Sequence, residues 1–391
     1  MEMRSPHILI LPSWYLPLGG SFCRDQAIAL QNKGINISIL ANVELPWTQM
    51  GLKTLTLPWG FFSQTEAGIP THRHYMRRIP RSEKANFHRW VDSTLKQFDH
   101  YIARNGKPDL IHAHSAMWAG YAAALIREKH NIPYLITEHR GRFSERSQSP
   151  HTTPKTWQIP LLQKAFSNAE ILIPVSSLLV ARLSELSGHQ TPVCPVSNIV
   201  DTDFFCPPDA RTATDKFTFF TANSFDDAKA YDILLEAFDR VCAQQPDVRL
   251  VIAGGGFRNP AFQNMLKNCK AAPKISFTGF LDRTGIRQNL WSAQAFVLAS
   301  RVESQSIAVL EAMSTGLPVV CTEVVPDEVV TPQTGYKVPV NDASQLAEAM
   351  LRMVQNRQTF SPQAIVVQAR NISAPDVVAQ KLIEIYKQIL P

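Results

Sequence analysis

Short, mainly apolar runs punctuate the chain: HILILP from His7, INISILA from Ile35, DLIHAH from Asp109, PYLITEH from Pro133 and EILIPVS from Glu170. Between them, SFCRDQAIALQNKG and MWAGYAAALIREKHN set apolar residues at helical spacing. Apolar runs bounded by turn residues predict fully buried strands, and strand–helix–strand repetition predicts an α/β parallel sheet covered on both faces. The rhythm loosens over Ser187–Lys216, a stretch rich in Pro, Thr, Asp and Ser. It restarts with FTFFTA, VRLVIAGGG, KISFTGF, AQAFVLAS and LPVVCTE.

This division predicts a first domain over 1–195, a linker over 196–215 and a second domain over 216–373. A closing helix over 374–391, begun by Pro375, is expected to pack back toward the first domain. At 391 residues the chain is too long for a single ordinary core, which agrees with two domains. Tandem open parallel sheets place ligands at the carboxyl ends of strands, where strand order reverses, so chemistry belongs on the loops that follow strands.

Composition narrows the possibilities. The chain has no apolar tract of membrane-spanning length, and its amino terminus reads as a buried strand instead of a signal peptide, which points to the cytoplasm. Six scattered cysteines include no C-x-x-C pair and no zinc spacing, against both a disulfide framework and a structural metal. The net charge of +6 is uneven: residues 1–200 hold 21 Lys+Arg against 13 Asp+Glu. The densest basic stretch, Thr71–Trp90, interleaves arginines with Tyr75, Phe87 and Trp90. That composition suits either an anionic membrane surface or phosphorylated ligand, or a plain solvated face. No nucleic-acid module is recognisable, and nucleic acid is not expected as a partner.

The stretch ESQSIAVLEAMSTGLPVV, residues 303–320, follows a buried run. A helix is predicted from Ser304 or Ser306 to Thr315, stopped by Gly316 and Pro318. Its free backbone N–H groups near Ser306 and Ile307 favour a phosphate. Glu303 and Glu311, eight residues apart, would span about 12 Å on an ideal helix, so both carboxylates address one extended ligand with hydroxyls at each end. A charge near a helix start and a solvated helix residue are the plainer alternative. IAGGG at Ile252–Gly256 lacks the dinucleotide G-x-G-x-x-G and reads as a loop edging a nucleotide pocket.

Glu303-x7-Glu311 with AMSTGLPVV resembles the signature of the large retaining "glycosyl transferases group 1" family of GT-B fold, of the bacterial polysaccharide and glycolipid type. PSWYLPLGGSFCRDQAIALQNKG, DLIHAHSAMWAGYAAAL, PYLITEH, PVSNIVDTDFF and KAYDILLEAF resemble further anchors of that family, in order, from about Pro12 to Pro339. The resemblance implies two Rossmann-like doubly wound parallel-sheet domains facing a cleft, the first binding acceptor and the second a nucleotide-sugar donor. It implies a retaining, metal-independent transferase without a cofactor. The acceptor would be a glycan or lipid-linked glycan of cell-surface polysaccharide, with the enzyme cytoplasmic or peripheral on the inner membrane face. Glu303 would bind donor-sugar hydroxyls and Glu311 the ribose, while the backbone at Ser306 and Ile307, with Lys229, would hold the diphosphate.

Gly19, Gly20, Asn223 and Gly254 would edge the donor site, the glycines because a chain lacking Cβ can pass close to phosphate. His114 would hydrogen-bond donor or acceptor near the reacting sugar, with His139 a second candidate of the same kind. His112 alternates with His114 and is expected on the opposite side. Two positions depart from the family pattern: only Lys229 remains where an Arg–Lys pair is usual, and Ser304, Gln305 and Ser306 replace glycines and an aromatic. Arg301 is a candidate for the missing charge. The alternatives are a non-catalytic donor-binding subunit and a sugar-nucleotide epimerase of the same fold.

Overall fold

The computed structural model describes residues 5–45, 59–146, 154–210 and 216–390; residues 211–215 of the expected linker and residue 391 of the closing helix lie outside these. The chain forms two units. The first comprises Met1–Arg140, Pro154–Ile199 and Pro375–Pro391, and the second Gly141–Thr153 and Val200–Ala374.

The strands of the first unit are β1 (His7–Pro12), β2 (Asn36–Leu45), β3 (Gly60–Glu66), β4 (Ile69–Arg77), β5 (Leu110–His114), β6 (Tyr134–Glu138) and β7 (Leu172–Pro174). Their order is β3-β4-β2-β1-β5-β6-β7. HILILP is β1, and every residue of it is buried, as a strand between two parallel neighbours and two helical layers must be. Ile8 lies opposite Ile37 on one side and Leu110 on the other. The chain builds outward from β1 through β2 and then returns to add β5 on the other flank, so the loops leaving β1 and β5 diverge at the reversal of strand order.

The sequence pattern does not foresee β3 and β4. They form an antiparallel hairpin, with Glu66 opposite Ile69, across a turn at Ala67 and Gly68 whose φ values are 49° and 85°. Two consecutive positive φ angles match the twist of the flanking strands. The hairpin also changes the reading of the basic stretch. Tyr75, Phe87 and Trp90 are core residues, and Trp90 Nε1 donates to the Asn42 carbonyl at 2.7 Å. Arg73 is buried and paired with Glu66, whereas Arg77, Arg78, Arg81, Lys84 and Arg89 are exposed. The aromatics supply packing, not a surface.

The second unit holds β8 (Phe217–Ala222), β9 (Val248–Ala253), β10 (Ile275–Gly279), β11 (Ala295–Leu298), β12 (Val319–Thr322) and β13 (Gly335–Val338), in order β10-β9-β8-β11-β12-β13. All its pairings are parallel, and its core is centred on Phe219, Phe220, Phe238, Phe262 and Phe296. Strand order reverses between β8 and β11. Among the described residues no helix is long and apolar enough to cross a membrane.

Helix Pro362–Ser373 belongs to the second unit, Ala374 is extended at φ −60° and ψ 142°, and Pro375 opens helix Pro375–Ile389 in the first. Proline fits there because the first-turn N–H it lacks has no intrahelical partner anyway. This last helix buries Val378, Ala379, Leu382, Ile385 and Tyr386 in the core of the first unit, and the Tyr386 hydroxyl lies 2.7 Å from His112 Nδ1. Tyr386→Phe leaves that imidazole nitrogen without its partner and should destabilise the first unit by about 1–3 kcal/mol, measured as a lowered urea midpoint.

Candidate functional site

In the first unit the loops leaving β1 and β5 are stapled by one hydroxyl. Ser13 Oγ donates to the Met117 carbonyl at 2.6 Å and accepts from Ala119 N–H at 3.1 Å, while Ser13 N–H donates to the His114 carbonyl at 3.1 Å. Gly20 has φ 75°, and a Cβ there would lie 2.3 Å from the Trp14 carbonyl oxygen. Its glycine is thus required by the fold of its own loop, at the entry to helix Ser21–Asn32. Gly19, at φ 112°, makes the same bend possible.

His112 and His114, both buried, and the half-buried His139 form a column. The His112 and His114 rings stack at 4.5 Å and 18°, and those of His114 and His139 at 5.2 Å and 14°. His112 therefore shares a face with His114, contrary to the expectation that the two diverge. Side chains alternate with a period of two, so residues two apart fall on the same side of a strand.

Hydrogen bonds order the column. Asn198 Oδ1, an acceptor in its present orientation, takes the proton of His139 Nδ1 at 3.0 Å. His139 Nε2 then accepts from His114 Nδ1 at 2.9 Å. His114 Nε2 is left as a bare acceptor, buried and without a protein partner. His112 is held apart by Tyr386 and by Thr137 Oγ1 at 2.7 Å. Burial drives the His139 pKa down to about 3, with the Asn198 hydrogen bond opposing it. Burial, then neighbouring His112 and His139, holds His114 far below the ordinary imidazole value. The column is neutral at pH 7.

Beneath it lies Glu138, which sequence reasoning passes over inside PYLITEH. Its carboxylate is fully buried and accepts from Ser115 Oγ and from the N–H groups of Ala116, His139 and Arg140 at 2.8–3.0 Å. It ties the ends of β5 and β6 together and so sets the spacing of His114 and His139. Asn198 was likewise missed; its sequence signal is no more than a polar Ser–Asn pair between the apolar residues of VSNIV.

In the second unit the site forms where β8 and β11 end. Lys229 lies in a short turn, Asp227–Lys229, capped by Asp226, whose carboxylate accepts from Ala228 N–H at 2.8 Å. Lys229 Nζ donates to Glu303 Oε1 at 2.7 Å, and Ser300 Oγ donates to the same oxygen at 2.8 Å. Arg301, the candidate for the missing charge, is engaged within the unit. Its guanidinium is held by Asp232 Oδ2 at 2.6 Å, Asn341 Oδ1 at 2.6 Å and the Asp227 carbonyl at 2.8 Å, and it braces the Lys229 turn.

Gly254, at φ 132°, stands where a Cβ would come within 2.3 Å of the Asn223 carbonyl, so the loops after β8 and β9 close together only because it is glycine. That carbonyl accepts from the Tyr231 hydroxyl at 2.6 Å. Gly141, which belongs to this unit, presses on the loop from the other side: a Cβ there would be 3.3 Å from the Glu303 carbonyl carbon.

The helix after β11 runs Ile307–Ser314, with Ser306 at its N-cap and no side chain capping it. Residues 304–306 are not helical, so the ideal-helix span between Glu303 and Glu311 does not apply; Glu303 reaches the site from a loop. Glu311 is one turn inside the helix, and burial, partly offset by Arg283, lifts its pKa to about 7. Lys229, Glu303 and the uncapped start of helix Ile307–Ser314 thus gather at one strand reversal, with Glu311 one turn further along that helix. Such a set holds an anion flanked by hydroxyl groups. Among the described residues no group of three or more His, Cys, Asp or Glu is placed to hold a metal.

Two tandem α/β units, each built on a mainly parallel sheet whose strand order reverses, have the GT-B fold of glycosyltransferases. A glycosyltransferase family 4 model matches residues 20–204 and a glycosyl transferases group 1 model matches residues 216–356. The chain belongs to this glycosyltransferase family. TuaC of Bacillus subtilis, named for teichuronic acid biosynthesis, is 27% identical over 338 residues, covering 81% of this chain and 79% of that protein. WcaL of Escherichia coli, named for colanic acid biosynthesis, is 23% identical over 367 residues, covering 86% and 87%. Sucrose-phosphate synthase from Thermosynechococcus elongatus shares the fold with a TM-score of 0.81 at 19% identity over 99% of both chains. Anabaena HepE in complex with UDP-glucose does so with a TM-score of 0.71 at 16% identity, covering 98% of this chain and 99% of that one.

The neutral column makes stability depend on pH. Because the native pKa values lie below the ordinary value of about 6.5, the unfolded chain takes up protons first. The stabilisation is complete above about pH 6.5 and declines as pH falls toward 3. Denaturant titrations between pH 6 and 4.5 should show His139→Gln losing about one proton from the linkage slope, or about 1.4 kcal/mol per pH unit.

Proposed function

We propose that the chain moves a sugar from a nucleoside-diphosphate donor held by the second unit to a glycan or lipid-linked acceptor held by the first. The anomeric configuration is retained, no metal or cofactor takes part, and the product is cell-surface polysaccharide. The observation that carries this reading is the Lys229–Glu303 pair beside the uncapped start of helix Ile307–Ser314. The HepE complex with UDP-glucose and the polysaccharide-assembly names of TuaC and WcaL support the choice of substrates. Exposed cations Arg77, Arg78, Arg81, Lys84 and Arg89 support placing the enzyme at an anionic inner membrane face.

In this mechanism donor binding exchanges the ion pair for ligand contacts. Lys229 turns to the diphosphate, whose other oxygens accept from the N–H groups at Ser306 and Ile307, and Glu303 accepts from sugar hydroxyls. Glu311 accepts from the ribose. As the bond from the anomeric carbon to the leaving phosphate oxygen breaks, negative charge grows on the diphosphate, where Lys229 and the helix start already stand. The acceptor hydroxyl attacks the anomeric carbon from the same face and passes its proton to the departing oxygen. His114 Nε2, a neutral acceptor, orients a sugar hydroxyl. Catalysis is then positioning and fixed electrostatics.

NMR of the freshly formed product should show the donor's anomeric configuration, and an inverted linkage would refute the mechanism. A chelator should leave the rate unchanged. Lys229→Ala should lower kcat about 10²–10³-fold, and Glu303→Gln should lower kcat/KM. Donor affinity should also follow Glu311. Its carboxylate is the stronger acceptor, so the donor KM should fall as pH rises through about 7, and Glu311→Gln should flatten that profile.

A further inference from the structure

The first unit holds a pocket of about 270 Å³ lined by Ser13, Trp14, Glu44, Arg78, Trp118 and Arg140 among others. Three independent features mark its wall. Trp118 has φ 74° and ψ −84°, the sparsely populated γ-turn region, and a bulky residue with positive φ is a genuine outlier. Its indole is held there edge-on by Trp90 at 5.6 Å and Phe87 at 5.7 Å, so the packing presents this ring to the pocket in spite of its backbone. Second, Glu44 Oε1 is buried without a hydrogen-bond partner, and Oε2 is 3.7 Å from Arg78 Nε, too far for a direct bond and suited to a bridging hydroxyl. Third, Arg140 Nε is buried without a partner, its guanidinium lying 4.8 Å over Trp14.

A bare acceptor, a bare donor and two indoles around one small space describe a particular ligand. An acyl chain would leave the carboxylate and guanidinium unsatisfied, and a bare anion would face Glu44. A pyranose ring satisfies all three, presenting hydroxyls that donate and accept at its rim and an apolar C–H face to an indole. The pocket also adjoins the histidine column, since the Trp14 ring sits 6.5 Å from His139 and Ser13 holds the His114 carbonyl.

We propose that this pocket receives the terminal sugar ring of the acceptor, so that the enzyme recognises its acceptor through a monosaccharide and not through a lipid chain. Trp118 is the stacking wall, Glu44 accepts from ring hydroxyls, and Arg140 donates to them. The inference rests on the transferase reading above, but its test does not depend on the donor site.

Methyl glucoside, methyl N-acetylglucosaminide and methyl glucuronide are titrated onto the full chain by saturation-transfer NMR and tryptophan fluorescence, with 1-octyl phosphate as the chain-bearing control. At least one glycoside should bind and quench tryptophan. Trp118→Gly, which suits a positive φ, should weaken that glycoside at least tenfold, and Glu44→Gln should weaken it about fivefold. The shifts in Tm given by UDP, GDP and ADP should be the same in both variants as in the parent. Their absence in the parent would count against the donor reading and leave the pocket standing. The proposal is overturned if no glycoside binds, if 1-octyl phosphate binds more tightly and displaces the glycoside, or if both variants bind it as the parent does.

Discussion

The ion pair between Lys229 and Glu303 joins the two loops that diverge from the strand reversal in the second unit. Neither residue reaches the other without its own scaffold. Asp226 caps the turn that presents Lys229, Arg301 fixes the same turn through Asp232 and a backbone carbonyl, and Ser300 aims Glu303. With side-chain exposures of 25% and 10%, the pair is partly withdrawn from water. Its attraction is correspondingly strong, and removing either partner strands the other. The acids Asp226 and Asp227, beside Lys229 in the chain, are parts of this support.

The first unit solves a different problem, that of placing an unprotonated imidazole in a closed environment. A carboxylate saturated by backbone N–H groups, Glu138, spaces the two strand ends. An amide, Asn198, dictates which nitrogen of His139 carries the proton and, through it, which nitrogen of His114 remains bare. Tautomer control at one remove is the usual service of a second layer of hydrogen bonds. The bare nitrogen of His114 is thus set by Asn198, a residue it does not itself touch.

Much of this architecture was legible in the chain. Buried parallel strands announce themselves as unbroken apolar runs such as HILILP and AQAFVLAS, and the loops after them are where charged residues can converge. The Glu303–Glu311 spacing and Lys229 were visible for that reason. The hairpin of β3 and β4 was not, because GFFSQTE is exposed along most of its length and carries no one-sided alternation to read. Glu138 and Asn198 were hidden because what makes them important is the set of hydrogen bonds that long-range folding delivers. Arg301 looked like spare charge beside Glu303, and only tertiary contacts reveal that Asp232 claims it.

Helix Pro375–Ile389 completes the core of the first unit, yet it follows the whole of Val200–Ala374 in the chain. On the ribosome, where synthesis adds about 5–20 residues each second, the amino-terminal sheet must wait on the order of ten seconds or more for its last apolar layer. During that interval the patch later covered by Leu382, Ile385 and Tyr386 is open, and the second unit, continuous apart from the 141–153 excursion, can finish first. The order of maturation thus inverts the order of translation.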